Sequence, residues 1–229
     1  MATLNQIAYN IRNKIENGRS HQNTYISLDQ IKFNIEMYRS LFLRREIERN
    51  NEQKEFEQSL TVEVSRVTMG EYSGMALPDH VLESQTIPEP IRLKNRSGIT
   101  YVATTDRKIV IPVVDYHMIL SSLHNKYTSR QPRAFFMSNK IWVYGDPMSI
   151  YIDRDIEDFD ISGDITKLFI RGIFENPAEA MLMEDPTLDA TNVDDEPYPL
   201  SGDMIQRITE GILSGELPML KGEEEEQPE

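Results

Sequence analysis

Residues 27–67 read SLDQIKFNIEMYRSLFLRREIERNNEQKEFEQSLTVEVSRV. The hydrophobic period changes inside this stretch. Leu28, Ile31, Ile35, Tyr38, Leu41 and Phe42 recur at three- and four-residue steps, so one face of a helix is apolar. Ser27 and Gln30 form an S-x-x-Q pair that can cap its start. Past Asn50 the step becomes two: Leu60, Val62 and Val64 alternate with Thr61, Glu63 and Ser65, which is the pattern of a half-buried strand. A helix that ends and a strand that begins within one segment exclude an all-α and an all-β chain. The expected class is α+β.

Working outward, Leu4, Ile7, Ala8, Ile11 and Ile15 define an earlier helix, with Gly18 as its expected C-cap. Two helices with a short link predict a helical hairpin. Downstream, Ile99–Ala103, Lys108–Val114, Ala134–Met137, Ile141–Tyr144, Ser149–Ile152 and Lys167–Phe174 read as strands, with a hairpin turn at Ser138-Asn139-Lys140. Pro112 confines its strand to an edge or a bulge. Residues 68–98 read as loop with short strands at most, and residues 116–126 as a short helix. Asn176 and Pro177 open another helix running to about Met183. Residues 184–200 read as an extended linker, and Ser201 caps a last helix closed by Gly215. The expected organisation is a helical hairpin over 1–58, a β-rich insertion over 59–175, C-terminal helices and an arm over 176–220, and a disordered acidic tail over 221–229.

The chain has 229 residues, no cysteine and a formal net charge of −14. Its length supports a sizeable core without a metal or disulfide. The absence of cysteine excludes thiol catalysis and Cys-ligated metals. No apolar run reaches the length of a membrane span, and the polar-apolar mix of the first residues is not that of a signal peptide. From Glu184 onward lie 14 of the 38 acidic residues and 2 of the 24 basic ones, so −12 of the −14 sits in the last segment. A chain so acidic is a poor general coat for DNA, which needs clustered Lys and Arg.

Chemistry is sparse. His117 and His124 are too far apart for a helical zinc pair, and His21 and His80 have no partner motif. The acidic run 153–164 (Asp153, Asp155, Glu157, Asp158, Asp160, Asp164) invites a calcium reading, but Asp158 stands where an EF-hand needs glycine and Asp164 where it needs glutamate. A solvated loop is the plainer reading. No phosphate-binding or nucleophile motif occurs, so the sequence argues for no catalytic residue, no cofactor and no metal. A divalent-ion hydrolase or nuclease using Asp153, Asp155 and Asp160 remains an alternative, as does a soluble adaptor or regulatory binding module. The cluster Arg39, Arg44, Arg45 and Arg49 reads as a basic helix end suited to carboxylates of another copy.

Four segments together resemble neck or ring proteins of crAss-like tailed bacteriophages: LNQIAYNIRNKI at 4–15, ISLDQIKFNIEMYRSLFLRREIERN at 26–50, LFIRGIFENPAEA at 168–180 and YPLSGDMIQRITEGILSGEL at 198–217. The order of elements is also similar to that of podovirus head-to-tail adaptors. The resemblance implies a structural protein of the virion, assembled in the host cytoplasm. It implies a ring of identical copies, dodecameric in such proteins, that joins portal to tail and extends a channel through which DNA passes without specific binding. Partners would be copies of the chain, the portal and other neck or tail proteins, with no membrane. By the same resemblance Met204, Ile205, Ile208, Ile212, Leu213 and Leu217 would form a partner-docking helix on a reaching arm.

Overall fold

The computed structural model describes residues 2–16, 26–50, 56–67, 81–94, 97–123, 132–145, 165–189 and 192–214. They form five α-helices: α1 (Leu4–Ile15), α2 (Leu28–Asn50), α3 (Tyr116–Leu123), α4 (Pro177–Glu184) and α5 (Gly202–Leu213). The described residues also form seven strands: β1 (Gln58–Arg66), β2 (Val81–Ser84), β3 (Ile99–Thr104), β4 (Val110–Ile111), β5 (Arg133–Met137), β6 (Lys140–Tyr144) and β7 (Lys167–Gly172). The class is α+β. The chain divides into two units, Met1–Phe56 with Thr187–Glu229, and Glu57–Pro186. The expected turn at Gly18, the strand at 149–152, the acidic run 153–164 and the tail 221–229 lie outside the described residues.

The second unit is built on antiparallel pairing in the order β4-β3-β7-β1-β2-β6-β5. The alternation in β1 sets the register. Leu60, opposite Ile170, and Val62, opposite Leu168, point to one side with Val64, and all are buried with Val102 of β3 and Val143 of β6. Each such side chain contributes on the order of 2 kcal/mol by leaving water. Pro112 cuts β4 to two residues, as its missing N–H requires. Its carbonyl remains useful, because it accepts from Ala134 N at 2.8 Å while Val114 N donates to the Ala134 carbonyl at 2.8 Å. Val113 thereby bridges Ala134 in parallel, so the two edge strands meet and the sheet closes into a near-barrel. Closure removes the exposed edges that invite aggregation.

Ser138 and Asn139 both hold positive φ, 53° and 57°, and join β5 to β6 as a two-residue primed turn. On the outer face α3 covers a second cluster of Val81, Ile119, Phe135, Trp142 and Tyr144. Asn176 caps α4 by accepting from Ala178 N at 3.0 Å. Glu184 at the far end of α4 accepts from Thr61 N at 2.9 Å, which fixes the helix to β1. Gly98 is required by a close approach. A Cβ there would lie 2.6 Å from the Ile173 carbonyl oxygen and 2.9 Å from that of Ile91.

In the first unit α1 packs on α2, and α5 packs on both. Thr3 caps α1 in a full capping box with Gln6, a signal that the apolar periodicity alone did not reveal. Gln30 N donates to Ser27 Oγ at 3.1 Å, as the sequence predicts. The segment read as an extended linker is strapped down instead. Val193, Tyr198 and Leu200 are buried. Tyr198 N donates to the Ala2 carbonyl at 3.0 Å, Asn5 donates to Asp195 at 2.6 Å, and Lys32 pairs with Asp194 at 2.5 Å. The Asp and Pro content suggested a solvated chain. The apolar residues spaced among them supply the anchorage, and the aspartates meet donors on α1 and α2.

Candidate functional site

The last helix shows what its apolar residues do. Ser201 Oγ accepts from Met204 N at 3.3 Å and starts α5. Met204, Ile208 and Ile212, at four-residue steps, are buried in the first unit. They are part of this chain's own core and are closed to a partner in this arrangement. Ile205 is half-buried and Leu213 is 43 % exposed. Leu217 lies outside the described residues.

The arginines separate in the same way. Arg39 is fully buried, with its guanidinium 5.8 Å from the centre of the Tyr198 ring. Burial pushes the Tyr198 hydroxyl well above the usual phenol range, although the Arg39 charge pulls the other way. Arg44 and Arg45 are exposed on the last third of α2. Arg49 lies in the last turn of the helix. The four therefore do not act as one charged patch: Arg39 is a core residue, whereas Arg44 and Arg45 face solvent.

An exposed apolar row lies elsewhere on α2. Ile31, Ile35, Tyr38, Leu43 and Ile47 face the core. Phe33, Met37 and Leu41, at i, i+4 and i+8, are 64 %, 43 % and 43 % exposed and form a row one above the other. The sequence pattern placed Leu41 on the inner stripe, because a single apolar face accounted for the period. The missed signal is that α2 carries more large apolar residues than a single face can hold. Beside this row a groove runs between α2 and α5, lined by Met37, Leu41, Phe42, Arg45, Arg207 and Ser214 among others. Its floor is tight, because a Cβ on Gly211 would stand 3.3 Å from the Tyr38 ring. Arg207 pairs with Glu46 at 3.1 Å across it. The helix pair thus presents an apolar row that runs into a positively charged end.

The exterior of the β-rich unit has a different character. Arg107, at φ 59°, stands 4.2 Å over the Phe169 ring. Arg171 lies 5.9 Å from both Phe169 and Tyr101. Acidic residues interleave with these cations, since Lys167 meets Glu63 at 3.8 Å and Arg171 meets Glu57 at 3.8 Å. Alternating signs of this kind do not concentrate phosphate at these positions. Asp106 joins the β3–β4 turn. Burial works to raise its carboxyl, but the Thr104 hydroxyl, the Lys108 N–H and the Lys108 charge outweigh that and hold it below the usual carboxylate range. Among the described residues no group of three His, Asp or Glu side chains is placed to hold a metal. His117 sits on α3 beside Tyr116, and His21, His80 and His124 fall outside the described residues. No described helix is long and apolar enough to cross a membrane.

A seated helical unit with an exposed apolar row, together with a closed sheet of mixed surface charge, has the features of a protein that works by assembling with other chains. The chain belongs to the crAss-like phage ring family described as "Phage tail ring protein 2", whose model matches residues 6–229. No curated protein matches the sequence.

Proposed function

We propose that this chain closes with copies of itself into a ring in the phage neck, joins the portal to the tail, and continues the channel for DNA. The observation that carries the reading is the family match, which spans both units and the final segment. A ring needs a heterologous interface, in which one patch of each copy meets a different patch of the next. The Phe33–Met37–Leu41 row supplies one such patch. Up to Met183 the chain carries 24 acidic and 22 basic residues, a balance that would not hold the phosphates of a passing duplex as a basic wall would. We take the copy number to be twelve-fold by the resemblance, the contacts to include the portal, and assembly to take place in the host cytoplasm.

The test is the mass of the purified full-length chain, alone and mixed with portal rings of the same phage, by native mass spectrometry. A closed oligomer or a portal-bound ring is expected. A chain that stays monomeric in both samples would favour a soluble binding module instead.

A further inference from the structure

The row on α2 has an order along the helix. Phe33, Met37 and Leu41 come first, and Arg44 and Arg45 follow within one further turn. From Phe33 to Arg45 the helix rises roughly 18 Å at 1.5 Å per residue. One segment of the chain carries matching chemistry in matching order. Leu217, Met219 and Leu220 are apolar, and Glu223, Glu224, Glu225 and Glu226 follow. Extended, Leu217 to Glu223 spans roughly 20 Å at 3.3 Å per residue. Laid parallel to α2, its apolar residues fall on the row and its acidic run falls at Arg45 and Arg207. Arg45 has no ion pair among the described residues.

The direction of α5 bears on whose segment this is. Arg207 stands beside Glu46 and Gly211 beside Tyr38, so α5 runs antiparallel to α2. The chain therefore passes Ser214 heading toward Phe33 and away from Arg45. Its own acidic run would have to reverse at once to return to the arginines. A segment entering from a neighbour needs no reversal, and each copy then gives one segment and receives one. This is the head-to-tail contact that closes a ring.

Resting on the ring reading above, we infer that the α2 row and its groove receive residues 217–226 of the neighbouring copy, with Met37 and Leu41 against its apolar residues and Arg45 against its glutamates. The chain has no cysteine, so introduced thiols report without background. Full-length Met37→Cys protein is mixed with full-length Met219→Cys protein, assembled with portal rings, and oxidised. Met37 is half-exposed, so its replacement leaves the core intact, and a thermal melt verifies this. The disulfide joining the two different variants should exceed both like-with-like products, because the bond forms only where the Cβ atoms approach within about 4.5 Å. Adding Arg45→Glu should lower its yield roughly two- to fivefold, the weight of one exposed ion pair. A ring that forms with no disulfide between the two variants would overturn this inference and leave the ring reading standing. In a Met37→Cys/Met219→Cys double variant diluted into cysteine-free chains, a bond within single chains would overturn it in favour of self-docking. Absence of any ring would remove both readings.

Discussion

Replacing Gly98 by alanine tests how the β-rich unit is held together. The new Cβ would meet the Ile173 oxygen at 2.6 Å, the Ile91 oxygen at 2.9 Å and the Ile91 nitrogen at 3.0 Å. An unstrained carbon–oxygen contact lies near 3.3–3.6 Å, so backbone must move by roughly 0.7 Å. All three neighbours are main-chain atoms of buried isoleucines and cannot swing aside as a side chain would. Two of those atoms make one hydrogen bond, Ile91 N to the Ile173 carbonyl, and the adjoining backbone makes a second, Ile173 N to the Gly98 carbonyl, both 2.9 Å. Stretching a bond of that length by the required amount takes it past the limit of a hydrogen bond. Two weakened buried bonds at about 1–2 kcal/mol each, less the 0.4–1 kcal/mol or so that alanine gains by restricting the unfolded chain, leave a net loss of about 2–3 kcal/mol. At about 2–4 °C per kcal/mol for a chain of this size, the melting transition should fall by about 5–10 °C. The assay is urea unfolding followed by the fluorescence of Trp142, which lies in this unit. Gly202→Ala is the control, since a Cβ there meets nothing within 4 Å and should be neutral or slightly stabilising. A Gly98→Ala loss below about 0.5 kcal/mol would refute the close-approach reasoning.

Three further outcomes follow from the same geometry. Ile208→Ala should cost about 2–5 kcal/mol as a fully buried truncation, while Leu213→Ala further along the helix should cost about 0.5 kcal/mol or less, measured by chemical unfolding followed by far-ultraviolet circular dichroism. Equal small losses would mean that α5 is an unseated arm. The Tyr198 hydroxyl is buried with no hydrogen-bond partner among the described residues, so Tyr198→Phe should be neutral or stabilising by about 1 kcal/mol in the same assay. Asp106 is held below its ordinary range, so its support of the β3–β4 turn is fully present above about pH 4 and fades as the pH falls through its lowered value. The Lys108 amide resonance should follow that acid titration and lose it in Asp106→Asn.

Much of the fold is legible because periodicity reports burial. The two-residue step of β1 and the four-residue step of α5 were both correct guides to which side chains face inward. The destination of those faces is another matter. Met204, Ile208 and Ile212 make the same stripe whether α5 docks on a partner or on its own α1 and α2, and only the packing decides between them. Arg39 illustrates the same limit. A helix-end arginine cluster reads as surface charge, yet Arg39 points back over Tyr198, a residue 159 positions away in sequence. The closure of the sheet rests on Pro112 and Ala134, and a proline carbonyl that accepts a bond leaves no pattern to read. The Phe33–Met37–Leu41 row was present in the sequence, and its meaning depended on knowing that the core side of α2 was already filled.

The most direct test of the ring assignment is cryo-electron microscopy of the intact phage, focused on the neck. The account predicts a ring coaxial with the DNA channel into which both units fit, with density from one copy lying along the Phe33–Leu41 row of the next. A neck whose rings are all accounted for by other chains, with this protein elsewhere in the particle or missing from it, would contradict the account.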